Sequence, residues 1–309
     1  MSAPFERVVI VGASGQLGSE LLRAFAAEQT FTPSRSELDL GRPAELAGAL
    51  ARLRPSLVIN TAAFHQVDAC EADAAGAFAI NALGVDALAA AAAAAGAAFA
   101  QVSTDYVFDG ARDGPHAEND GPRDTPYDES DAARPLNVYG ISKFAGERLA
   151  VRHGPRAFVF RTSGLYGSSG VSNKGPVFVE RMLRGAERGE ALRVVDDVVF
   201  SPSYAPHVAA AMRRVLGTER YGLYHVSDAG RCSWWEFAVE AIRLRGLEPR
   251  VEAVRSTPAP GAARRPAFSA LAHGALKREG FPAMPTWQEG LREYLAVRAR
   301  QDASSPASM

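Results

Sequence analysis

Arg7-Val8-Val9-Ile10-Val11-Gly12-Ala13-Ser14-Gly15-Gln16-Leu17-Gly18 is a short apolar run followed by three glycines, each three residues after the last. An unbroken apolar run of this length is the pattern of a parallel strand buried on both faces. Gly12 to Gly18 then reads as a turn, and Ser19 to Glu28 as a helix. Glycines in a strand–turn–helix allow the tight turn and let backbone N–H groups approach a pyrophosphate at the helix N-terminus. The spacing is G-x-x-G-x-x-G, not the G-x-G-x-x-G of the general dinucleotide fingerprint. Alone it is equally a plain turn. The strand before it and the helix after it favour a dinucleotide site touching Gly12, Ser14, Gly15 and Gly18.

Outward from this turn, strands and helices alternate. Strands are expected at Phe31–Pro33, Leu57–Asn60, Ala98–Val102 and Phe158–Arg161. Helices are expected at Ala44–Leu53, at Ala72–Ala95 and from Val138 onward. This spacing predicts right-handed βαβ units and a parallel sheet covered on both faces. The fold class is therefore α/β, a Rossmann-like doubly wound parallel sheet over residues 1–163. The rhythm then changes, and residues 164–300 read as mainly a smaller C-terminal α/β substrate-binding domain. Within it, the helix and strand near 205–226 are expected to return to the Rossmann sheet. Helices are also expected at Val177–Arg188, Trp234–Arg245 and Trp287–Arg298, with short strands at Leu192–Val195 and Val251–Val254. Residues 301–309 read as a disordered polar tail.

Composition narrows the function. The 309 residues carry 34 basic and 35 acidic side chains, a formal charge of -1, so nothing points to nucleic acid or a membrane surface. The longest apolar run, Ala87 to Ala100, is mostly alanine and reads as a packed helix and strand rather than a span. Two distant cysteines, Cys70 and Cys232, fit inert packing thiols in a reducing cytoplasm. The six histidines lack metal-ligand spacing, and no metal is expected.

Candidate chemistry lies between Val102 and Glu147. Tyr139 and Lys143 are four apart on an expected helix, so they share a face. A free phenol has a pKa of about 10, and a nearby ammonium lowers it. A tyrosine so tuned can give a proton to a carbonyl oxygen or take one from an alcohol. Thr104 ends the fourth strand, where its hydroxyl can bond the same oxygen. A bare Y-x-x-x-K also arises by chance on helices, and its position after this sheet is what gives it meaning. Asn60-Thr61-Ala62-Ala63-Phe64 ends the third strand in small residues, which serve either ligand space or tight packing. The second strand ends in Thr32-Pro33-Ser34-Arg35, with no carboxylate for a ribose. Arg35 is a candidate for a 2′-phosphate, favouring NADP(H) with NAD(H) possible; the alternative is a solvated loop arginine. His65 reads as a packing histidine, and Trp234 and Trp235 as core.

These motifs identify a resemblance to the dTDP-4-dehydrorhamnose reductase family of extended short-chain dehydrogenases/reductases. It is carried by Gly12 to Gly18, Asn60 to Ala63, Ser103 to Gly110, Pro135 to Gly140, Lys143, Arg161-Thr162-Ser163 and Tyr166-Gly167, and by later pieces to about Leu295. The string Ser103-Thr104-Asp105-Tyr106-Val107-Phe108-Asp109-Gly110 is its most specific part. The resemblance implies a catalytic trio of Thr104, Tyr139 and Lys143. It implies hydride delivery to C4 of a 4-keto-6-deoxy sugar nucleotide, with Tyr139 as proton donor. Lys143 would hold the nicotinamide ribose and lower the Tyr139 pKa. It further implies Gln16, Leu17, Asp39, Leu40, Ala62, Ala63 and Phe64 around the cofactor, and Asp105 and Tyr106 at the sugar. On local grounds Asp39 is equally a helix N-cap residue ahead of Pro43.

Two departures lie on the substrate side. Gly164 stands where the family commonly has tryptophan, and the loop from Asp109 to Pro135 is long and acidic, reading as a solvated loop rather than a metal site. A monomer or homodimer is expected. Two other readings remain: a sugar-nucleotide epimerase or dehydratase that keeps its NAD, or a non-catalytic NADP-binding subunit resembling the regulatory subunit of methionine adenosyltransferase.

Overall fold

The structure, a computed structural model, describes residues 5–111, 123–167, 177–248, 250–257 and 261–304. Strand β1 (Arg7–Val11) leads through the glycine turn into α1 (Gln16–Ala24), then β2 (Gln29–Phe31), α2 (Pro43–Leu53) and β3 (Leu57–Asn60). Strand β2 lies two residues earlier than expected, because Pro33 has no N–H to give a ladder. Its partner in register is β1, with Arg7 opposite Gln29.

The expected single helix over 72–95 is broken. It resolves into α3 (Val67–Ala72), α4 (Ala74–Phe78), a π turn (Ala79–Leu83) and α5 (Gly84–Ala94). Asp73 makes the first break, its carboxylate accepting the Gly76 N–H at 2.8 Å as a cap of α4. The stretch Ala74–Ala94 is long and apolar enough to cross a membrane by length and composition. Here its Val85, Leu88, Ala89 and Ala92 are buried in a core shared with α2 and β3.

Next come β4 (Ala98–Thr104), a 3-10 turn (Asp105–Val107), α6 (Val138–Val151) and β5 (Ala157–Thr162). The chain continues through β6 (Leu165–Tyr166), α7 (Phe178–Glu187), β7 (Leu192–Val195), β8 (Val199–Phe200), β9 (Ser203–Tyr204) and α8 (Ala205–Leu216). It ends with β10 (Gly222–His225), β11 (Cys232–Ser233), α9 (Trp234–Leu244), β12 (Val251–Val254), α10 (Gly274–Arg278) and α11 (Trp287–Ser304). Helix α11 continues past residue 301, where the sequence places the start of a polar tail; residues 305–309 lie outside the described residues.

Six strands form one parallel sheet in the order β10-β5-β4-β3-β1-β2. Strand β10 joins it beside β5, Gly222 opposite Phe158. Helices cover both faces: α1 and α8 pack on one through Leu17, Leu21, Val208 and Met212, and α2 and α5 on the other. The chain turns opposite ways from β1 to reach β2 and β3, which opens a crevice at their carboxyl ends.

The remaining strands make three two-stranded pairs, β7 with β12, β8 with β11, and β6 with β9. Their core holds Tyr166, Val179, Leu183, Phe237, Trp287 and Leu291. It is joined to the main sheet by a third cluster of Phe108, Tyr127, Phe268 and Leu271. Tyr127 stacks on Phe108 at 3.9 Å, and Glu129 accepts the His225 and Ala275 N–H groups at 2.9 and 3.0 Å. Thus the second half of the acidic loop is an internal brace, not a solvated loop. Asp113, Glu118 and Asp120 of that loop lie outside the described residues.

Candidate active site

Above the carboxyl ends of β1, β3 and β4 lies a cavity of about 850 Å³. Gly12, Ser14, Gly15, Gln16, Leu17 and Gly18 line one end of it. Gly12 takes φ +82°, and a Cβ there would stand 2.8 Å from the Ala62 nitrogen. A Cβ on Gly18 would stand 2.3 Å from the Gly12 oxygen, so α1 packs against its own turn. Gly15 caps α1 with no side-chain hydrogen bond, and the first turn holds no acid. The helix therefore presents open N–H groups and a positive dipole end, which suits an anionic pyrophosphate. Two buried hydroxyls on the lining, Ser103 and Thr162, have no hydrogen-bond partner among the described residues. A buried polar group without a partner is costly, so this lining fits a polar ligand.

Thr104, Tyr139 and Lys143 meet on the same lining. Asn137 caps α6, its Oδ1 accepting the Gly140 N–H at 2.8 Å, which puts Tyr139 in the first helical turn and Lys143 one turn on. The Thr104 and Tyr139 hydroxyls are hydrogen-bonded. Thr104 also donates to Asp105 Oδ1 at 3.0 Å. Lys143 Nζ donates to the Val102 carbonyl at 2.6 Å.

Burial raises the Tyr139 phenol well above its ordinary value, with the Thr104 hydrogen bond opposing it. Burial brings Lys143 down to about 8, with Glu147 opposing. The sequence expectation was a phenol lowered by Lys143. In this geometry desolvation outweighs any such help, and the ammonium is spent on Val102. A phenol so raised stays protonated at neutral pH, which is the form a proton donor needs.

Asp105 and Tyr106 also line the cavity. Asp105 is buried and raised by burial, against hydrogen bonds from Ser269, Ser163 and Thr104. Its Oδ2 accepts from Ser163 at 2.8 Å and from Ser269 at 2.6 Å. Tyr106 packs edge-on to Tyr139, ring centroids 6.1 Å apart, and burial pushes its phenol up to about 12. Arg265 hydrogen-bonds Tyr106 and pairs with Asp68 at 2.7 Å.

Ala62 and Ala63 line the cavity, whereas Arg35, Asp39, Leu40 and Phe64 stand outside its lining. Leu40 is a core residue. Arg35 is 83% exposed and lies 3.5 Å from the Asp39 carboxylate. Arg42 reaches the same oxygen at 3.7 Å. Asp39 does not cap α2, whose N-cap is Arg42; its Oδ1 accepts the Gly41 N–H at 2.9 Å within the preceding turn.

Several contributors escaped the sequence reading. Asn81, in the π turn, holds the Phe64 backbone by both N–H and C=O at 2.8 and 2.9 Å and donates to Ser142 at 3.0 Å. It clasps the loop after β3 to the helix that carries Lys143. Its one sequence signal is a polar, weakly helix-forming residue inside an alanine-rich run. Ser163 is legible only as part of the Arg161-Thr162-Ser163 motif, and Ser269 gives no signal. His65, expected as a partly buried packing histidine, is exposed on the cavity lining, and Trp234, expected in the core, packs against it and also lines the cavity.

Residues 6–299 match the family described as RmlD substrate binding domain. The chain is 36% identical over 295 residues to the spore coat polysaccharide biosynthesis protein SpsK of Bacillus subtilis, covering 95% of this chain and 98% of that protein. It is 35% identical over 300 residues to a dTDP-4-dehydrorhamnose reductase of Burkholderia thailandensis, covering 91% and 95%. A crystal structure of the dTDP-4-dehydrorhamnose reductase of Bacillus anthracis in complex with NADP superposes with a TM-score of 0.84 at 34% identity, covering 94% and 99%.

Proposed function

The chain belongs to the dTDP-4-dehydrorhamnose reductase family of extended short-chain dehydrogenases/reductases, and on that premise we propose that it is an NADP(H)-dependent reductase of a nucleotide-activated 4-keto-6-deoxy sugar. The observation that carries this reading is the convergence of Thr104, Tyr139 and Lys143 in one cavity that also opens on the glycine turn of α1. In the proposed arrangement residues 1–163 hold the dinucleotide and residues 164–300 mainly hold the sugar nucleotide.

The bound nicotinamide supplies hydride to the sugar C4. Tyr139 gives its O–H proton to the C4 oxygen as the carbonyl becomes an alcohol, and the phenolate is then reprotonated from solvent. Thr104, turning its O–H away from Asp105, holds that oxygen beside Tyr139. Lys143, released from Val102, holds the nicotinamide ribose and stabilises the transient phenolate by its charge. NADP(H) is favoured by the NADP complex of the Bacillus anthracis relative and by Arg35 and Arg42 beside Asp39. Asp39 leaves room for NAD(H) as well. Two buried cysteines, neither in a disulfide, fit a cytoplasmic enzyme. Monomer and homodimer both suit this scheme, since every group it uses comes from one chain.

The test is NADPH oxidation against a panel of 4-keto-6-deoxy sugar nucleotides, with the product identified by NMR. Stereospecific reduction at C4 supports the reading. Absence of turnover with every member, by a folded protein that binds NADPH, overturns it.

A further inference from the structure

Part of the cavity lining is a layered wall. Gly164 lies just beyond β5 with φ +48°, and a Cβ there would stand 2.3 Å from the Phe200 ring. The Phe200 ring thus occupies the space a side chain at 164 would need. Trp234 stacks on Phe200, ring centroids 3.9 Å apart and planes 16° apart, and Phe178 closes edge-on to Trp234 at 4.6 Å. Phe200 is almost fully buried, whereas Trp234 is half-buried, so the surface offered to the cavity is the indole. A capping box sets Trp234 in place: Ser233 accepts the Glu236 N–H at 3.1 Å, and Glu236 accepts the Ser233 N–H at 2.7 Å. The same wall carries Arg181, which is exposed on α7 and makes no ion pair among the described residues.

We propose that Trp234, held by Phe200 over Gly164, stacks on the base of the nucleotide and that Arg181 takes its diphosphate. An indole face with an exposed guanidinium beside it, lying over the Phe178 ring at 5.9 Å, suits a nucleoside diphosphate: the ring meets the planar base and the guanidinium meets phosphate oxygens. The position fits as well. The glycine turn, Thr104, Tyr139 and this wall all line one cavity. The inference rests on the proposed sugar-nucleotide substrate. It adds which chain groups recognise the nucleotide, and it makes Gly164 a positioning residue, since any larger side chain there displaces Phe200 and with it Trp234.

The test uses dTDP as the probe, titrated into the full-length protein by calorimetry and by tryptophan fluorescence, with NADPH titrated separately. Trp234→Leu is expected to weaken dTDP binding by roughly tenfold or more, as loss of a base-stacking ring does. Arg181→Met is expected to weaken it roughly tenfold, as loss of a charge-assisted phosphate contact does. NADPH affinity should stay unchanged in both. Trp235→Phe is the control, because Trp235 donates to the Val251 carbonyl and is not part of the cavity lining. Gly164→Trp should lose dTDP affinity, and Gly164→Trp combined with Phe200→Gly should recover part of it. If Trp234→Leu and Arg181→Met bind dTDP like the wild type, the subsite is wrong. An unchanged dTDP affinity with a raised KM for the full substrate would mean that Trp234 faces the sugar, which also overturns it. If the wild type reduces no 4-keto sugar nucleotide yet binds dTDP in a Trp234-dependent way, the proposed reaction fails and the nucleotide subsite stands.

Discussion

Lys143 hangs by its ammonium from the carbonyl of Val102, 2.6 Å away and two residues before Thr104 on the same strand. Burial holds that ammonium down at about 8, from an ordinary 10.5. The unfolded chain therefore binds the extra proton between those values, and stability rises as pH goes from about 8 to 10.5. Below about 8 the cost of the buried charge is fully present. Lys143→Met should raise stability at pH 7 by about 1–3 kcal/mol, seen as a higher urea midpoint. The Val102 carbonyl keeps a partner, since Gln101 donates to it at 2.7 Å. A lower midpoint would show that the lysine is a net stabiliser.

The same group predicts a pH limb in binding. NADPH affinity of the wild type should fall as pH rises through about 8 and the ammonium is lost. Fluorescence titrations from pH 6 to about 9.5 should show that limb in the wild type and none in Lys143→Met.

Tyr139→Phe removes the hydroxyl proposed to protonate the substrate. Turnover should drop by roughly 10²–10⁴-fold, with NADPH binding nearly intact. Single-turnover NADPH oxidation is the measurement, and a wild-type rate would take the proton donor away from Tyr139.

Arg35 and Arg42 share the Asp39 carboxylate, which holds their charge away from a ligand. Arg35→Ala should weaken NADPH by roughly tenfold and NADH far less. Asp39→Asn should act oppositely and raise the NADPH-over-NADH preference, by roughly fivefold. Paired dissociation constants for the two cofactors decide this, and equal losses in Arg35→Ala would remove it from the 2′-phosphate site.

Glu147 and Arg161 form a buried double hydrogen bond at 2.9 and 2.7 Å, each side chain about 5% exposed or less. Glu147→Gln leaves the guanidinium buried without its counter-charge and should cost roughly 3–5 kcal/mol. Replacing both by apolar residues of similar volume should cost much less. Chemical denaturation of the single and double variants reads the difference directly.

The alternation of β1, β3, β4 and β5 with helices was legible because buried parallel strands are nearly all apolar, and Tyr139 with Lys143 because helical spacing is local. What escaped was set by partners distant in sequence. Nothing near Asn81 shows that it will grip Phe64, and an alanine-rich run gives no warning of a π turn. The α9 capping box is written locally as Ser233 and Glu236, yet whether Trp234 faces core or cavity depends on Phe200 and Gly164. Within the acidic loop, charge counts suggested solvent, whereas Tyr127 and Glu129 are drawn inward by Phe108, His225 and Ala275.

Asp105 is held by Ser163, from just beyond β5, and by Ser269, 164 residues later in the chain. A ribosome making this protein therefore completes most of the parallel sheet long before it supplies the last hydroxyl for that carboxylate. Until residue 269 has emerged, Asp105 lacks the Ser269 hydroxyl that bonds its Oδ2. The proposed site is thus complete only once residues from both halves of the chain are in place.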